Sequence, residues 1–255
     1  MKKIPRSLLA LGPTAPPKTI RAADKEFHFV RLLKHDFFAA TAVYQGDAGR
    51  VIAKFGRTEP ILGLPAQWIG RLLAWHEATI YAALADLEAV PAFVGRCGPT
   101  GIVHEFIEGA PLTPGQSVPD AFFDRLREAV DALHARGMAY VDLEKRQNVI
   151  AGDDGRPYLI DFQISWYLPR RYGGETLPAR WLRRRFQEGD RYHLLKLQRR
   201  IRRDQLTAEQ IRQSYRKPFH VKLHRWLTWP MLKTRRTMLQ RLDPTHKRGE
   251  RGSAV

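Results

Sequence analysis

Residues Leu133 to Ser165 read LHARGMAYVDLEKRQNVIAGDDGRPYLIDFQIS. Two carboxylates in this stretch, Asp142 and Asp161, each sit beside an apolar run, and Asn148 lies in the polar loop between them. Asn148-Val149-Ile150 and Tyr158-Leu159-Ile160 have the composition of two short strands, and Asp153-Asp154-Gly155 carries a hairpin signature. Such a hairpin returns Asp161 to the side of Asn148. Rigid strand ends presenting two carboxylates and an amide suit phosphoryl transfer, in which a base reaches an acceptor hydroxyl while oxygen ligands hold hard cations against phosphates. On this reading Asp142 is the base, and Asn148 and Asp161 are the ligands of Mg brought in with ATP.

An Asp-Phe dipeptide after an apolar run often does no more than cap a strand or a turn. Its weight here comes from the order of its surroundings. The chain resembles the protein kinase-like superfamily, in which a strand lysine, a helical glutamate, a hinge-like strand, a catalytic loop H-R-D-L-x-x-x-N and a metal-binding turn D-F-G follow one another. Tyr140-Val141-Asp142-Leu143 with Asn148 stands at the catalytic loop, and Asp161-Phe162-Gln163 at the metal-binding turn. The resemblance covers roughly residues 25 to 200. It implies an α+β, two-lobed protein kinase-like fold, with a small β-rich N-lobe, a helical C-lobe ending in basic helices, and ATP and Mg in the cleft.

The upstream elements occur in the expected order. Arg50-Val51-Ile52-Ala53-Lys54-Phe55 is a strand pattern after the turn Gly46-Asp47-Ala48-Gly49, and Val51-Ile52-Ala53-Lys54 is close to the superfamily's V-A-I-K. By resemblance Lys54 contacts the nucleotide phosphates; taken alone, a strand-end lysine belongs in solvent. Leu64 to Leu87 is rich in helix formers, with Leu73, Ile80, Leu84 and Leu87 at helical spacing. Glu77 falls on or near that stripe, where a buried carboxylate needs a cationic partner. Two readings stand open for it, an ion pair with Lys54 and a surface glutamate at the stripe's edge.

Val90 to Gly95 and Gly101 to Ile107 read as strands around a Gly-Pro turn, and Glu108-Gly109-Ala110-Pro111-Leu112 as a hinge. The resemblance implies that the backbone of Glu105, Phe106 and Ile107 meets the adenine edge. Ser117-Val118-Pro119-Asp120 looks like a capping-box start for a helix carrying Phe122, Phe123, Leu126, Val130 and Leu133.

Several features depart from the superfamily pattern. One extra residue separates Asp142 from Asn148, so either the loop is extended or Gln147 takes the ligand's place; the thirteen-residue distance to Asp161 favours Asn148. Val141 replaces the arginine that in many protein kinases receives a phosphorylated activation loop. Gln163 replaces the glycine of D-F-G, no A-P-E-like segment follows, and Leu33 to Thr41, at the place of the glycine-rich phosphate loop, holds no glycine. These losses fit a compact bacterial branch similar to the lipopolysaccharide core sugar kinases (Kdo or heptose kinases). RIO-type kinases and aminoglycoside or choline phosphotransferases are more distant.

The 255 residues accommodate an N-terminal arm (1–24), an N-lobe (25–108), a C-lobe with a basic helical extension (109–245) and a polar tail (246–255) expected to be disordered. A single cysteine, Cys97, excludes an internal disulfide framework. Met1-Lys2-Lys3 mimics a secretory start, but Gly12-Pro13 interrupts the apolar run Leu8-Leu9-Ala10-Leu11, and no segment reaches the length of a membrane span. The expected location is the cytoplasm, with peripheral contact at the inner membrane.

The net charge of +17 is carried by the last 90 residues, where 24 Lys and Arg stand against 7 Asp and Glu. Aromatic and aliphatic residues interleave with cations in Arg180 to Phe186 and Arg191 to Arg203. Such helices bind phosphorylated glycolipid, anionic membrane or nucleic acid. A merely solvated basic face is an equal alternative. Leu194, Leu197 and Ile201 belong to the core in either case, and Trp226, Trp229 and Met231 form a further amphipathic stretch. No spacing of a DNA-reading module occurs, which makes nucleic acid the weaker partner.

These features together point to an ATP- and Mg-dependent phosphotransferase acting on a hydroxyl. Asp142 is its base, Asn148 and Asp161 its metal ligands, and Lys54, fixed by Glu77, its phosphate contact. A lipopolysaccharide core sugar is the favoured phosphoacceptor, and a protein hydroxyl, as for a RIO-like serine/threonine kinase, is the alternative. A pseudokinase adaptor at an anionic surface is a third reading. The missing glycines and Gln163 suggest it, and retention of the five polar residues opposes it.

Overall fold

The computed structural model describes residues 9–61 and 63–216; the stretch around Trp226 and the tail from His246 lie outside them. Short runs of alternating side chains give β1 (Thr19–Ala22), β2 (Lys25–His35), β3 (Ala39–Gly46) and β4 (Gly49–Gly56). With β5 (Phe93–Cys97) and β6 (Gly101–Glu105) they form one antiparallel sheet in the order β1-β2-β3-β4-β6-β5. This sheet begins at Thr19, within the stretch read as an arm, because Ile20 and Ala22 bury their side chains against Phe27 of β2 and its neighbours. Side chains alternate along each strand. Ala42, Tyr44, Val51, Ala53 and Phe55 pack the outer layer, and the residues between them, Thr41 and Lys54 among them, face the other side.

That other side is covered by α1 (Gln67–Ala83). The helix is shorter than the Leu64 to Leu87 pattern. Pro65 fits no helix interior, and Leu84 to Val90 continue as successive turns closed by the carbonyls of Leu84 and Leu87. Gly70 lets α1 approach closely, since a Cβ there would collide with the Arg57 carbonyl. Its buried face is centred on Ala74, Glu77, Ala78 and Tyr81.

The C-terminal part opens with β7 (Gly109–Pro111) and α2 (Phe122–Ala135), which buries Phe122, Phe123, Leu126, Val130 and Leu133 as its spacing requires. The expected capping box is not formed. Ala121 occupies the N-cap without a side-chain bond, and the Asp120 carboxylate is taken by Arg202 at 2.6 Å. β8 (Met138–Ala139) pairs with β11 (Trp166–Tyr167), and β9 (Val149–Gly152) pairs with both β7 and β10 (Pro157–Leu159). The expected β9–β10 hairpin is formed, with Val149 opposite Leu159, and Gly155 takes the positive φ that its turn requires.

Two helices follow, α3 (Leu177–Ile201) and α4 (Ala208–Tyr215), the latter with a Thr207–Gln210 capping box. Leu194 and Leu197 join a core that runs continuously from Ile80 and Tyr81 of α1 and the following Leu84 through α2 to Tyr140, Leu143 and Phe162, with Ile201 packed against it. The fold is thus α+β, with an antiparallel β-rich N-terminal part and a helical C-terminal part. No helix among the described residues is long and apolar enough to cross a membrane.

Candidate active site

Strand β4, helix α1 and the turn after β10 converge on one ammonium group. Lys54 Nζ lies 3.0 and 2.9 Å from the two carboxylate oxygens of Glu77 and 2.6 Å from Asp161 Oδ1. Glu77 is only 2% exposed, so of its two open readings the structure selects the ion pair. Burial works against the charged amine, yet the two carboxylates outweigh it and hold Lys54 protonated well above its ordinary range. Burial likewise opposes ionisation of Asp161, but the adjacent Lys54 takes its carboxyl below the usual value. Lys54→Met would leave Glu77 buried without its cation, a change of the kind that costs about 3–5 kcal/mol. We therefore expect lowered stability in urea denaturation and weakened nucleotide use, and Glu77→Gln should reproduce the second effect by misplacing the lysine.

The loop from Tyr140 to Asn148 shows how the extra residue is accommodated. Arg146–Asn148 form a single 3₁₀ turn, with Asn148 N bonded to the Lys145 carbonyl at 3.0 Å. The turn points Asn148 inward and leaves Gln147 exposed. Asn148 Nδ2 donates to Asp142 Oδ2 at 3.0 Å, and Lys145 Nζ approaches the same oxygen at 2.6 Å. Of the two residues competing for the ligand's place, Asn148 is the one beside Asp142.

Burial raises the Asp142 carboxyl above its ordinary range, against the downward pull of Lys145 and Asn148. A carboxylate with a raised pKa is a stronger base when ionised. Activity that needs the ionised form should fall as pH drops through this raised pKa. Lys145→Met removes the cation that opposes the effect of burial, so the acid limb of kcat/KM should move to higher pH. A pH–rate profile in which the limb stays put would separate Lys145 from the base.

The backbone here is held in an uncommon conformation. Val141 has φ 70° and Asp161 φ 64°; for a β-branched residue such as valine this is a genuine outlier, typical of functional sites whose surroundings over-determine the geometry. For Val141 the cause is visible. The carboxylate of Asp190, on α3 and 1% exposed, accepts from Tyr140 N and Val141 N at 2.7 Å each and meets His134 Nε2 at 2.9 Å. Asp190 was not singled out from the sequence. Its signal was there: it is the acid that shares a helical stripe with Leu194 and Leu197 in an otherwise basic segment.

Tyr140 ties the two halves of the site together. Its hydroxyl donates to the Ile160 carbonyl and lies 3.3 Å from that of Asn148, while Ile160 N bonds Asn148 O at 3.1 Å. Phe162 packs edge-on to Tyr140 and to Tyr81, which in turn stacks on His104. Burial lowers the His104 pKa to about 4, so this column of rings is neutral at physiological pH. The position of Asp161 is therefore coupled by packing to α1, the helix that carries Glu77.

The connection after β6 offers less than the sequence suggested. Phe106 N is bonded to Arg50 O at 3.2 Å, and its ring lies under the Arg50 guanidinium, so Phe106 has no amide left for an adenine edge. Glu105 N is likewise taken, by Ala92 O. Of the three amides the Ile107 N–H is the one that remains, and the Glu105 carbonyl is already 2.8 Å from His104 Nδ1.

No cluster of three or more His, Cys, Asp or Glu able to hold a metal occurs among the described residues. A magnesium ion does not need one, since it keeps several waters and takes one or two carboxylates together with phosphate oxygens. With Nδ2 given to Asp142, Asn148 keeps its Oδ1 as a hard ligand, and Asp161 has Oδ2 beyond the one that meets Lys54. This donor set fits the ion.

The basic helix α3 is less free than its composition implied. Lys196 reaches back to Glu144 of the Tyr140–Asn148 loop at 2.7 Å, and Arg202 holds Asp120, Asp204 and the Val118 carbonyl. Arg183 is bound to Glu175 and to the Gly174 carbonyl, while Arg180 and Arg184 are exposed. Near them Leu177 and Trp181 stand 79% and 59% exposed. A second apolar stripe, Leu64, Trp68, Leu72 and Trp75, lies exposed along and just before α1. Sequence periodicity did not reveal it, because both faces of that helix are apolar.

Two structures of the Rio2 kinase from Chaetomium thermophilum share this architecture. The first, described as an ADP/Mg2+-phosphoaspartate complex, matches with a TM-score of 0.53 and 16% identity over 70% of this chain and 56% of its own. The second matches with a TM-score of 0.51 and 15% identity over 68% and 58%. The fold is protein kinase-like, and the chain spans less than two thirds of the length of these kinases. No protein-family model and no curated protein sequence matches the chain.

Proposed function

We propose that the protein is an ATP- and Mg-dependent phosphotransferase whose acceptor is a hydroxyl on a glycolipid sugar, with the lipopolysaccharide core as the favoured class. The observation that carries the first half is the Lys54 ammonium joined to both Glu77 and Asp161, together with the bonded pair Asp142 and Asn148, whose carboxylate is within electrostatic reach of Asp161. Asp142 orients the acceptor hydroxyl and accepts its proton as the new P–O bond forms and the bond from the γ-phosphorus to the β,γ-bridging oxygen breaks, with ADP as the leaving group. Lys54 and Lys145 place positive charge about the transferring group, and Asn148 and Asp161 would hold a magnesium ion, which would supply charge neutralisation of the phosphates. Since phosphoryl transfer needs little covalent work from a protein, positioning and electrostatics carry the rate.

The acceptor half is supported by the surface. Exposed Trp68 and Trp75 with Arg71 on α1, and exposed Trp181 with Arg180 and Arg184 on α3, each have the composition of a surface that rests on an anionic bilayer. Binding to anionic vesicles should fall with added salt, as exposed charges are screened within ~8 Å at physiological ionic strength. At about 1 kcal/mol per cation near such a surface, the double variant Arg180→Gln, Arg184→Gln should bind roughly 30-fold more weakly. Unchanged binding would leave the basic region a solvated face.

Likeness to Rio2 kinase favours the second reading, a protein hydroxyl as acceptor. Incubation with labelled ATP and Mg in the presence of lipopolysaccharide or of mixed protein decides between them by where the label appears. Nucleotide binding without transfer to either would favour the adaptor reading.

A further inference from the structure

The turn between β2 and β3, where the superfamily's glycine-rich loop would lie over the phosphates, is built in a different way. Asp36 Oδ1 accepts from Phe38 N at 2.9 Å and from Ala39 N at 3.0 Å, so two of the amides that a phosphate loop would offer are already bonded. The turn is also fastened from outside. Ala10 N donates to Asp36 O, Leu11 N to His35 Nε2, and Arg57 Nη1 to the Phe37 carbonyl while its guanidinium covers the Phe37 ring. A loop that binds phosphate through mobile glycine amides is thus replaced by a rigid platform.

One side chain on that platform carries the charge that the amides cannot. In the sheet register Lys34 is opposite Thr41, and Thr41 is opposite Lys54. Directly paired residues on neighbouring strands project to the same face, and strands lie ~4.8 Å apart. Lys34 therefore stands on the face of the sheet that carries Lys54, about two strand spacings away. Its ammonium is held 2.7 Å from Asp36 Oδ2 and its side chain is 62% exposed, so it is both preorganised and open to a ligand. Its positive charge is one of those that depress the Asp161 carboxyl, which places it within electrostatic reach of the site.

We propose that Lys34 is a second phosphate-binding lysine, a side-chain substitute for the glycine-rich loop that grips the polyphosphate of the nucleotide from the β2–β3 turn. The inference rests on the phosphotransferase reading of the same cleft and names the residue that reading lacks.

Calorimetric titration of the full chain with ATP, ADP and adenosine, each with magnesium, tests it. Lys34→Met should weaken ATP and ADP binding by roughly 10- to 100-fold, the range for a bond to a charged group, and leave adenosine binding unchanged. Lys34→Arg should retain most of the affinity, and Lys25→Met, an exposed lysine at the far end of the same strand, should behave as the parent. Equal losses for ATP and adenosine would mean that the turn had collapsed, and an unchanged ATP affinity would mean that Lys34 only faces solvent; either overturns the proposal while leaving the phosphotransferase reading in place. A parent chain that binds none of the three would remove both together.

Discussion

Asp142→Asn and Asp161→Asn are each expected to lower phosphotransfer by about 10²-fold or more, with opposite consequences for stability. Asp142 is 8% exposed, and burial raises its carboxyl despite Lys145 and Asn148. An acid whose folded pKa lies above its unfolded value is less stable ionised than protonated, so a neutral isostere should cost little and can raise the melting temperature. Asp161 is the reverse case. Lys54 holds its pKa below the ordinary range against the effect of burial; its stabilisation is complete above the unfolded pKa and is lost as pH falls through the depressed one. Asp161→Asn should therefore lower the melting temperature at neutral pH, by an amount that shrinks in acid. Transfer rates and thermal unfolding of the two variants at pH 7 and in acid check both parts. Parent-like turnover in either variant would remove the assignment of that carboxylate.

The parts of this site that were legible in the sequence are those in which one polar residue interrupts an apolar pattern. Lys54 ends a run of strand residues, Glu77 breaks a helical stripe, and Asp161 closes a hairpin arm. In each case burial forces a partner on the polar group, and the partner can be sought elsewhere in the chain. The same logic reaches Asp190, yet the arginines around it masked the signal, because composition describes a whole segment while burial selects one face. Sequence was blind to two other features for different reasons. The commitment of the Phe106 amide to Arg50 O is a matter of backbone register, which leaves no trace in residue type. The platform under Lys34 depends on contacts from Ala10, Leu11 and Arg57, each twenty or more positions away in the chain. A missing glycine motif could be seen; what stood in its place could not.

Asp190→Ala should impair both stability and catalysis, and the pairing of the two effects identifies the residue's role. The substitution strips acceptors from Tyr140 N, Val141 N and His134 Nε2, all placed around one buried carboxylate. Each unsatisfied buried donor costs about 1–3 kcal/mol, so a loss of roughly 3 kcal/mol or more is expected from urea denaturation. Val141 would then be free to leave its positive φ, which by itself stores about 1–3 kcal/mol, and Asp142 follows it in the chain. A displacement near 1 Å of a positioned group can cost about 10² in rate. The loss should therefore appear in kcat, with KM for ATP little changed, because Lys54 and Glu77 are held by other elements. Combining Asp190→Ala with Val141→Gly separates the two effects. Glycine adopts the left-handed conformation without strain, so this second change should return part of the rate while the unsatisfied donors keep stability low. A double variant that recovers neither, or an Asp190→Ala variant that folds less stably yet turns over at the parent rate, would show that Asp190 holds the fold together without setting the position of the base.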